Sequence, residues 1–366
     1  NSPRPDMDEA WRKIALGSEH TWCFENPSEP YFQDAIFKAK QSYFEQAASS
    51  VNDIFDDSFA PITDKSNGGI GPLEGPSAGG IVVLNTNSWE HDGLITLDKS
   101  ESIRGDKVVD ESGADVPAQR LSSGELVFMA SRIPAMGSRH YRVVKGKSDL
   151  HQGCSVKENI LENGKLRVVI DKTSGNITQL VELATGYNYA GKDPKMGLNS
   201  FHWLPGNRDA PVGDSVITIK TKEAGPVLVE VEISSRGKGV RSVTRKVRLV
   251  RGQQWVGLDN VVDKLPLLEK DGIHFGFNFN LPDARTRIDI PWGIMEVEKD
   301  QWPQANRNWF ALQRWADITN DTKGVTWCSP DAPLLQYGKM TANNAYGWGN
   351  GGNWIEKLVP SSTIYS

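Results

Sequence analysis

The spacing of apolar residues changes once along this chain, and the change falls on a stretch that suits neither helix nor strand. Pro61 to Gly80 carries six Gly and three Pro in twenty positions, a density of turn formers that reads as a linker. Before it, apolar residues recur every three or four positions; beyond it, they recur every two. Such a chain is a helical segment joined to a β-region, and the two periods forbid a single uniform layer.

The helical part has two members. Asp6 is placed to cap a first helix with Glu9 three residues on, and Trp11, Ile14 and Ala15 fall on one face. This helix is expected to end at Gly17, delivering His20 into a loop between Glu19 and Trp22. A second helix is expected from Pro30, where a missing N–H costs nothing, with Phe32, Ile36, Ala39, Tyr43, Ala47, Val51 and Ile54 at helical spacing. Two amphipathic helices cannot cover each other fully, so a third helix or a neighbouring domain is expected against them.

Short runs rich in Val, Ile and Thr follow. They include 81–84, 126–130, 139–144, 166–170, 227–234, 243–250, 255–262 and 275–281, separated by turn residues and with no helical pattern between them, which predicts antiparallel sandwiches. Asp171 to Gly175 reads as a hairpin turn with Gly175 at positive φ.

Composition excludes several classes. The 366 residues, 38% apolar, suffice for two or three ordinary cores. A net charge of -5 without any long Lys/Arg run gives no footprint for nucleic acid. No apolar run reaches the roughly 18 residues that a transmembrane helix needs, so no membrane partner is expected. Cys23, Cys154 and Cys328 show no C-x-x-C spacing, which gives neither a disulfide framework nor a zinc knuckle and leaves the redox compartment open. The opening N-S-P-R-P-D lacks a signal-peptide pattern and an initiator Met, so the chain is read as the middle or end of something longer, with no address to read.

The chemistry-bearing residues are sparse. Neutral imidazole is the commonest metal ligand among side chains, but His91, His140, His151 and His202 have no His partner at i+2 or i+4, and His274 lies inside a strand pattern. His20 differs in context, since a loop just past a helix end can aim it into a cleft. Glycoside hydrolysis needs two carboxylates about 5 to 10 Å apart, and no pair of Asp and Glu stands out here. No G-x-S-x-G elbow, P-loop or dinucleotide fingerprint is present. Twelve Trp residues exceed the usual share. Trp292, Trp348 and Trp354 stand beside Asn or Gly, and Trp89 two residues after Asn87, where indole faces suit sugar rings as well as β-sandwich cores. Gly347 to Gly352 reads as a loop whose backbone comes close to a neighbour or a ligand.

Four segments in order carry a resemblance: W-R-K-I-A-L-G-S-E-H-T-W (11–22), V-L-N-T-N-S-W-E-H-D-G-L-I-T-L (83–97), E-N-G-K-L-R-V-V-I-D-K-T-S-G-N-I-T-Q-L (162–180) and N-W-F-A-L-Q-R-W-A-D-I-T-N-D-T-K-G-V-T (308–326). Together they resemble the middle and C-terminal portions of glycoside hydrolase family 38, the retaining α-mannosidases. The resemblance implies a mainly β fold: an N-terminal helical-bundle segment (1–60), a linker (61–80), a small β-sandwich (81–150) and a large mutarotase-like antiparallel β-supersandwich (151–366), truncated. It also implies an N-terminal catalytic domain missing from this chain, which would hold the nucleophile, the acid/base and most ligands of one zinc.

His20 matches the family's zinc-binding His after the helical bundle, so zinc is expected in the full-length enzyme and hardly in this segment alone. The expected ligand is a mannose-containing oligosaccharide or glycan, with Trp22, Trp348 and Asn350 as its contacts, and a homo-oligomer is left open. Where the family often shows D-R-R before its late glycine-rich loop, this chain has G-K-M-T-A-N-N from Gly338, a departure that bears on substrate specificity. Two other readings compete. One is a non-catalytic carbohydrate-binding or assembly module stacking sugars on Trp348 and Trp354. The other is a lyase or mutarotase acting through its own β-cleft, for which His274 and Glu296 are the nominated pair.

Overall fold

The computed structural model describes residues 5–20, 30–63, 80–150, 153–193, 196–206, 209–303, 305–341, 355, 357–359 and 361–366. The chain divides into two compact units, Asn1–Ile81 and Val82–Ser366. Mainly β structure is borne out: two helices and a series of antiparallel sheets account for the regular elements.

Helix α1 spans Pro5–Gly17 and helix α2 Pro30–Thr63. Their packing differs from the expected faces. Ala10 and Gly17 are buried in α1 while Trp11 is 67% exposed and Ala15 is exposed, so the packed stripe is 10, 14 and 17, not 11, 14 and 15. Small residues decide this. A Cβ on Gly17 would lie 2.9 Å from the Phe44 ring, so the bare glycine lets α2 approach closely where an indole would hold it off. Glu9 is not the reciprocal cap either. It takes Arg12 at 2.7 and 2.8 Å, and that guanidinium holds its carboxyl down at about 2. In α2, Ile36 and Ala47 are buried as their spacing requires, whereas Phe32 and Val51 flank the stripe and are exposed.

The second unit begins with two small sheets. One orders Gly80–Leu84, Ser138–Val144, Lys107–Asp110 and Asp115–Val116; the other orders His91–Leu97, Leu126–Ile133 and Ala118–Arg120. The N-T-N-S-W segment is the loop between the first strands of each. Its Asn85, 6% exposed, donates through Nδ2 to the carbonyls of Trp89, Ile133 and Pro134 at 2.8, 3.0 and 3.0 Å and accepts from the Asn87 N–H. One amide therefore satisfies several backbone groups that a tight loop leaves orphaned.

Four larger sheets follow. Two are meanders: a five-stranded one over Ser155–Asn188, and Ser215–Ala224, Leu228–Arg236, Val240–Val250 and Gly257–Lys264. A third orders Ser200–Pro205, Asp271–Asn278, Thr363–Tyr365, Leu334–Tyr337 and Phe310–Ala311; the fourth orders Gly293–Glu296, Arg285–Ile290, Trp315–Thr319 and Gly324–Cys328. All four send residues into one core that includes Val168, Ile170, Val231, Ile233, Ile288, Ile318 and Ile364. Each such aliphatic side chain, when fully buried, contributes roughly 1.5–3 kcal/mol. Alternation explains the inward set: in Leu228–Arg236, Val229, Val231 and Ile233 are wholly buried.

A smaller cluster of Val127, Met129, Val227, Leu228 and Val250 joins the early sheets to the second meander. There the side-chain oxygen Oε1 of Gln119 accepts from the N–H groups of Val227 and Leu228 at 3.2 and 2.9 Å. The hairpin expected at Asp171–Gly175 is present, with Gly175 at φ 68 and the Asp171 carboxylate accepting from Thr173 N and Ser174 N.

Candidate functional site

His20 follows α1 by three residues. Two backbone bonds carry the chain out of the helix, Ser18 N–H to Ile14 O at 2.9 Å and Glu19 N–H to Leu16 O at 3.4 Å. The Lys40 ammonium donates to the Glu19 carbonyl at 2.7 Å and ties the exit to α2. The imidazole is 93% exposed, with Nδ1 3.5 Å from a Glu19 carboxylate oxygen. One imidazole beside one carboxylate is not a zinc site, since a catalytic zinc takes three protein ligands. Among the described residues no three His, Cys, Asp or Glu side chains gather. Residues 20 and 19 thus fit a zinc only as part of a larger donor set. Trp22, Trp348 and Asn350 lie outside the described residues, as do His151, Trp354 and the loop from Gly347 to Gly352.

The structure does bring two histidines together that their sequence neighbours do not connect. His202 and His274 stand opposite each other in the pair Ser200–Pro205 and Asp271–Asn278, and both are nearly sealed, at 6% and 1% exposure. Nε2 of His202 shares a hydrogen bond of 2.9 Å with the Ser200 hydroxyl. The His274 ring stacks on Trp309, centroids 5.5 Å apart, and neither of its nitrogens has a hydrogen-bond partner. Glycines make room for both rings: a Cβ at Gly272 would lie 2.9 Å from His274 Cε1, and one at Gly276 3.2 Å from His202 Nε2.

Burial dominates the electrostatics of this pair. It pushes His202 down to about 4, aided by His274 and Arg245, and pushes His274 down too, against the neighbouring Gln336 amide. That amide is itself taken up by the backbone of Thr341, at 3.0 and 3.2 Å. The nominated partnership of His274 with Glu296 is not formed. Neither His274 nitrogen meets a carboxylate, and Glu296, on a different sheet, has its carboxylate 3.3 Å from the Lys299 ammonium. A sealed imidazole with no carboxylate to orient it is poorly placed for general-base work, so among the described residues the lyase or mutarotase reading finds no constellation.

Beside these rings lies a buried ion pair that sequence reasoning also missed. Arg245 has no side-chain exposure and stands 3.0 Å from the Asp214 carboxylate, itself 5% exposed. Its guanidinium also donates to the Asn176 side chain and to the carbonyls of Asn199 and Ser174, at 2.9, 3.1 and 3.0 Å. The Ser235 hydroxyl donates to the same Asp214 oxygen. The Asp171–Gly175 turn closes over this pair. A Cβ on Gly175 would lie 2.6 Å from Arg245 Nη2, so this turn needs glycine for space as well as for φ. The available signal was weak: Arg245 sits in the alternating run V-R-S-V-T-R-K-V-R-L-V, where outward Arg and inward Arg look alike.

Comparison with known proteins places this β-region. The model of the Glycosyl hydrolases family 38 C-terminal domain matches residues 161–330. No curated protein matches the chain. Among solved structures, an alpha-mannosidase from Enterococcus faecalis V583 superposes with a TM-score of 0.65 at 11% identity, covering 100% of this chain and 50% of that one. A protein in the glycosyl hydrolase family 38 from Enterococcus faecalis gives 0.63 at 12% identity, covering 92% of this chain and 47% of that one. This chain therefore spans about half the length of the structures it matches, and likeness at such identity speaks for the fold. Residues 161–330, with the strand–hairpin segment 162–180 and the whole 308–326 strand pair inside them, are thus similar to the C-terminal domain of glycosyl hydrolase family 38.

Proposed function

We propose that this chain serves a retaining α-mannosidase-like glycoside hydrolase, supplying the helical and β-domains behind a catalytic half that lies outside it. The observation that carries this reading is the family 38 match over 161–330, joined to a fold shared along the whole chain with an alpha-mannosidase. On this reading His20, held at the α1 exit, is one donor to a zinc whose other donors belong to the catalytic half. A zinc so bound would hold sugar hydroxyls and favour ring distortion toward an oxocarbenium-like transition state. Mannose-containing oligosaccharides are the substrate class, with Trp22, Trp348 and Asn350 as proposed contacts.

On this reading the catalytic groups lie outside the chain, and among its described residues no metal site assembles, so the 366-residue chain alone is expected to be inert. Incubation with 4-nitrophenyl α-mannoside and added zinc is expected to release nitrophenol no faster than buffer does. Turnover by the chain alone, abolished in His20→Ala, would overturn the assignment of catalysis to groups outside it.

A further inference from the structure

The hairpin that joins Arg285–Ile290 to Gly293–Glu296 turns on two residues, since Ile290 pairs directly with Gly293. Pro291 takes the first turn position and Trp292 the second, where Trp292 sits at φ 68. A left-handed second position after Pro belongs to a type II turn, and glycine or asparagine normally fills it. A bulky side chain there is strained, and such strain clusters at functional sites. The indole gains nothing from its own chain in return, being fully exposed at 105%. Gly293 beside it meets nothing within 4 Å, which leaves that flank open.

Hydrogen-bonding groups stand at the same end of the sheet. The Asp289 carboxylate accepts from the N–H groups of Gln313, Arg314 and Trp315 at 3.1, 2.9 and 2.9 Å, which pins that loop alongside the strand just before the hairpin tip. Gln313 and Arg314 are exposed, and among the described residues their side chains make no hydrogen bond or ion pair. An exposed aromatic face, with free planar donors and an acceptor on the loop pinned at the same end of the sheet, matches a pyranose, whose C–H face is apolar and whose rim is hydroxyl.

We propose that Trp292, with Gln313 and Arg314, is a glycan-docking platform for α-linked mannose units. The proposal rests on the family 38 reading for its sugar class, while its geometry comes from the hairpin itself. Affinity electrophoresis of the whole chain through gels containing yeast mannan tests it. Wild type is expected to be retarded by mannan; Trp292→Gly should weaken binding at least roughly ten-fold while raising the melting temperature, because glycine suits the turn. Arg314→Ala should weaken binding less. An unretarded wild type, equal retardation of Trp292→Gly, or loss of binding in Trp348→Ala alone overturns the platform. None of these outcomes touches the hydrolysis assay, so the two readings fail separately.

Discussion

Arg245→Ala is expected to destabilise the Val82–Ser366 unit by about 3–5 kcal/mol, the range for removing one partner of a buried ion pair. The variant would leave Asp214 at 5% exposure with its main counter-charge gone, and would orphan the Asn199 and Ser174 carbonyls that Arg245 now serves. The reason is asymmetry: a charge stripped of both water and partner costs far more than the pair contributes when intact. The double variant Arg245→Met with Asp214→Leu removes both charges and should recover much of the loss. Urea midpoints for the three proteins check this. A loss below about 1 kcal/mol for Arg245→Ala, the ordinary scale of exposed pairs, would mean that the guanidinium is not sealed in as described.

The second large effect is acid sensitivity through the buried histidine pair. In the folded chain His202 stays neutral down to about 4, against an ordinary 6.5. Between those values the unfolded chain binds the proton and the folded chain does not, so protonation pulls toward unfolding. The contribution is fully present above pH 6.5 and is lost progressively as pH falls toward 4. At 1.36 kcal/mol per unit this amounts to about 3 kcal/mol, and His274 adds to it in the same direction. The discriminating quantity is the difference between wild type and His202→Gln, because carboxylates titrate in both. Stability measured from pH 7.5 to 4 should fall less steeply in the variant; parallel curves would refute the assignment.

What was legible in the sequence followed from local physics. The Asp171–Gly175 hairpin was readable because an Asp that caps its own turn and a glycine at positive φ are both local requirements. The strands were readable by alternation, and the start of α2 by Pro30. Exposure of Trp11 was not, because a one-residue rotation of a short helix is decided by which residue is small enough at the contact, here Gly17 under Phe44. Nor was the pairing of His202 with His274, which joins strands about seventy residues apart, or the burial of Arg245, which depends on what the neighbouring sheet offers. Trp292 was noticed for its neighbours, but its turn conformation needed the register of the hairpin.

On the proposed function, this chain completes a zinc-dependent α-mannosidase and lends it His20. It is tested most directly by expressing the chain joined to the catalytic half that the proposal requires, and measuring bound zinc and aryl α-mannoside hydrolysis in wild type and His20→Ala. One zinc per wild-type chain is expected, with both metal and turnover falling by roughly 10–100-fold or more in the variant, the scale on which even outer-shell partners of a zinc matter. Full zinc occupancy and unchanged turnover in His20→Ala would contradict it.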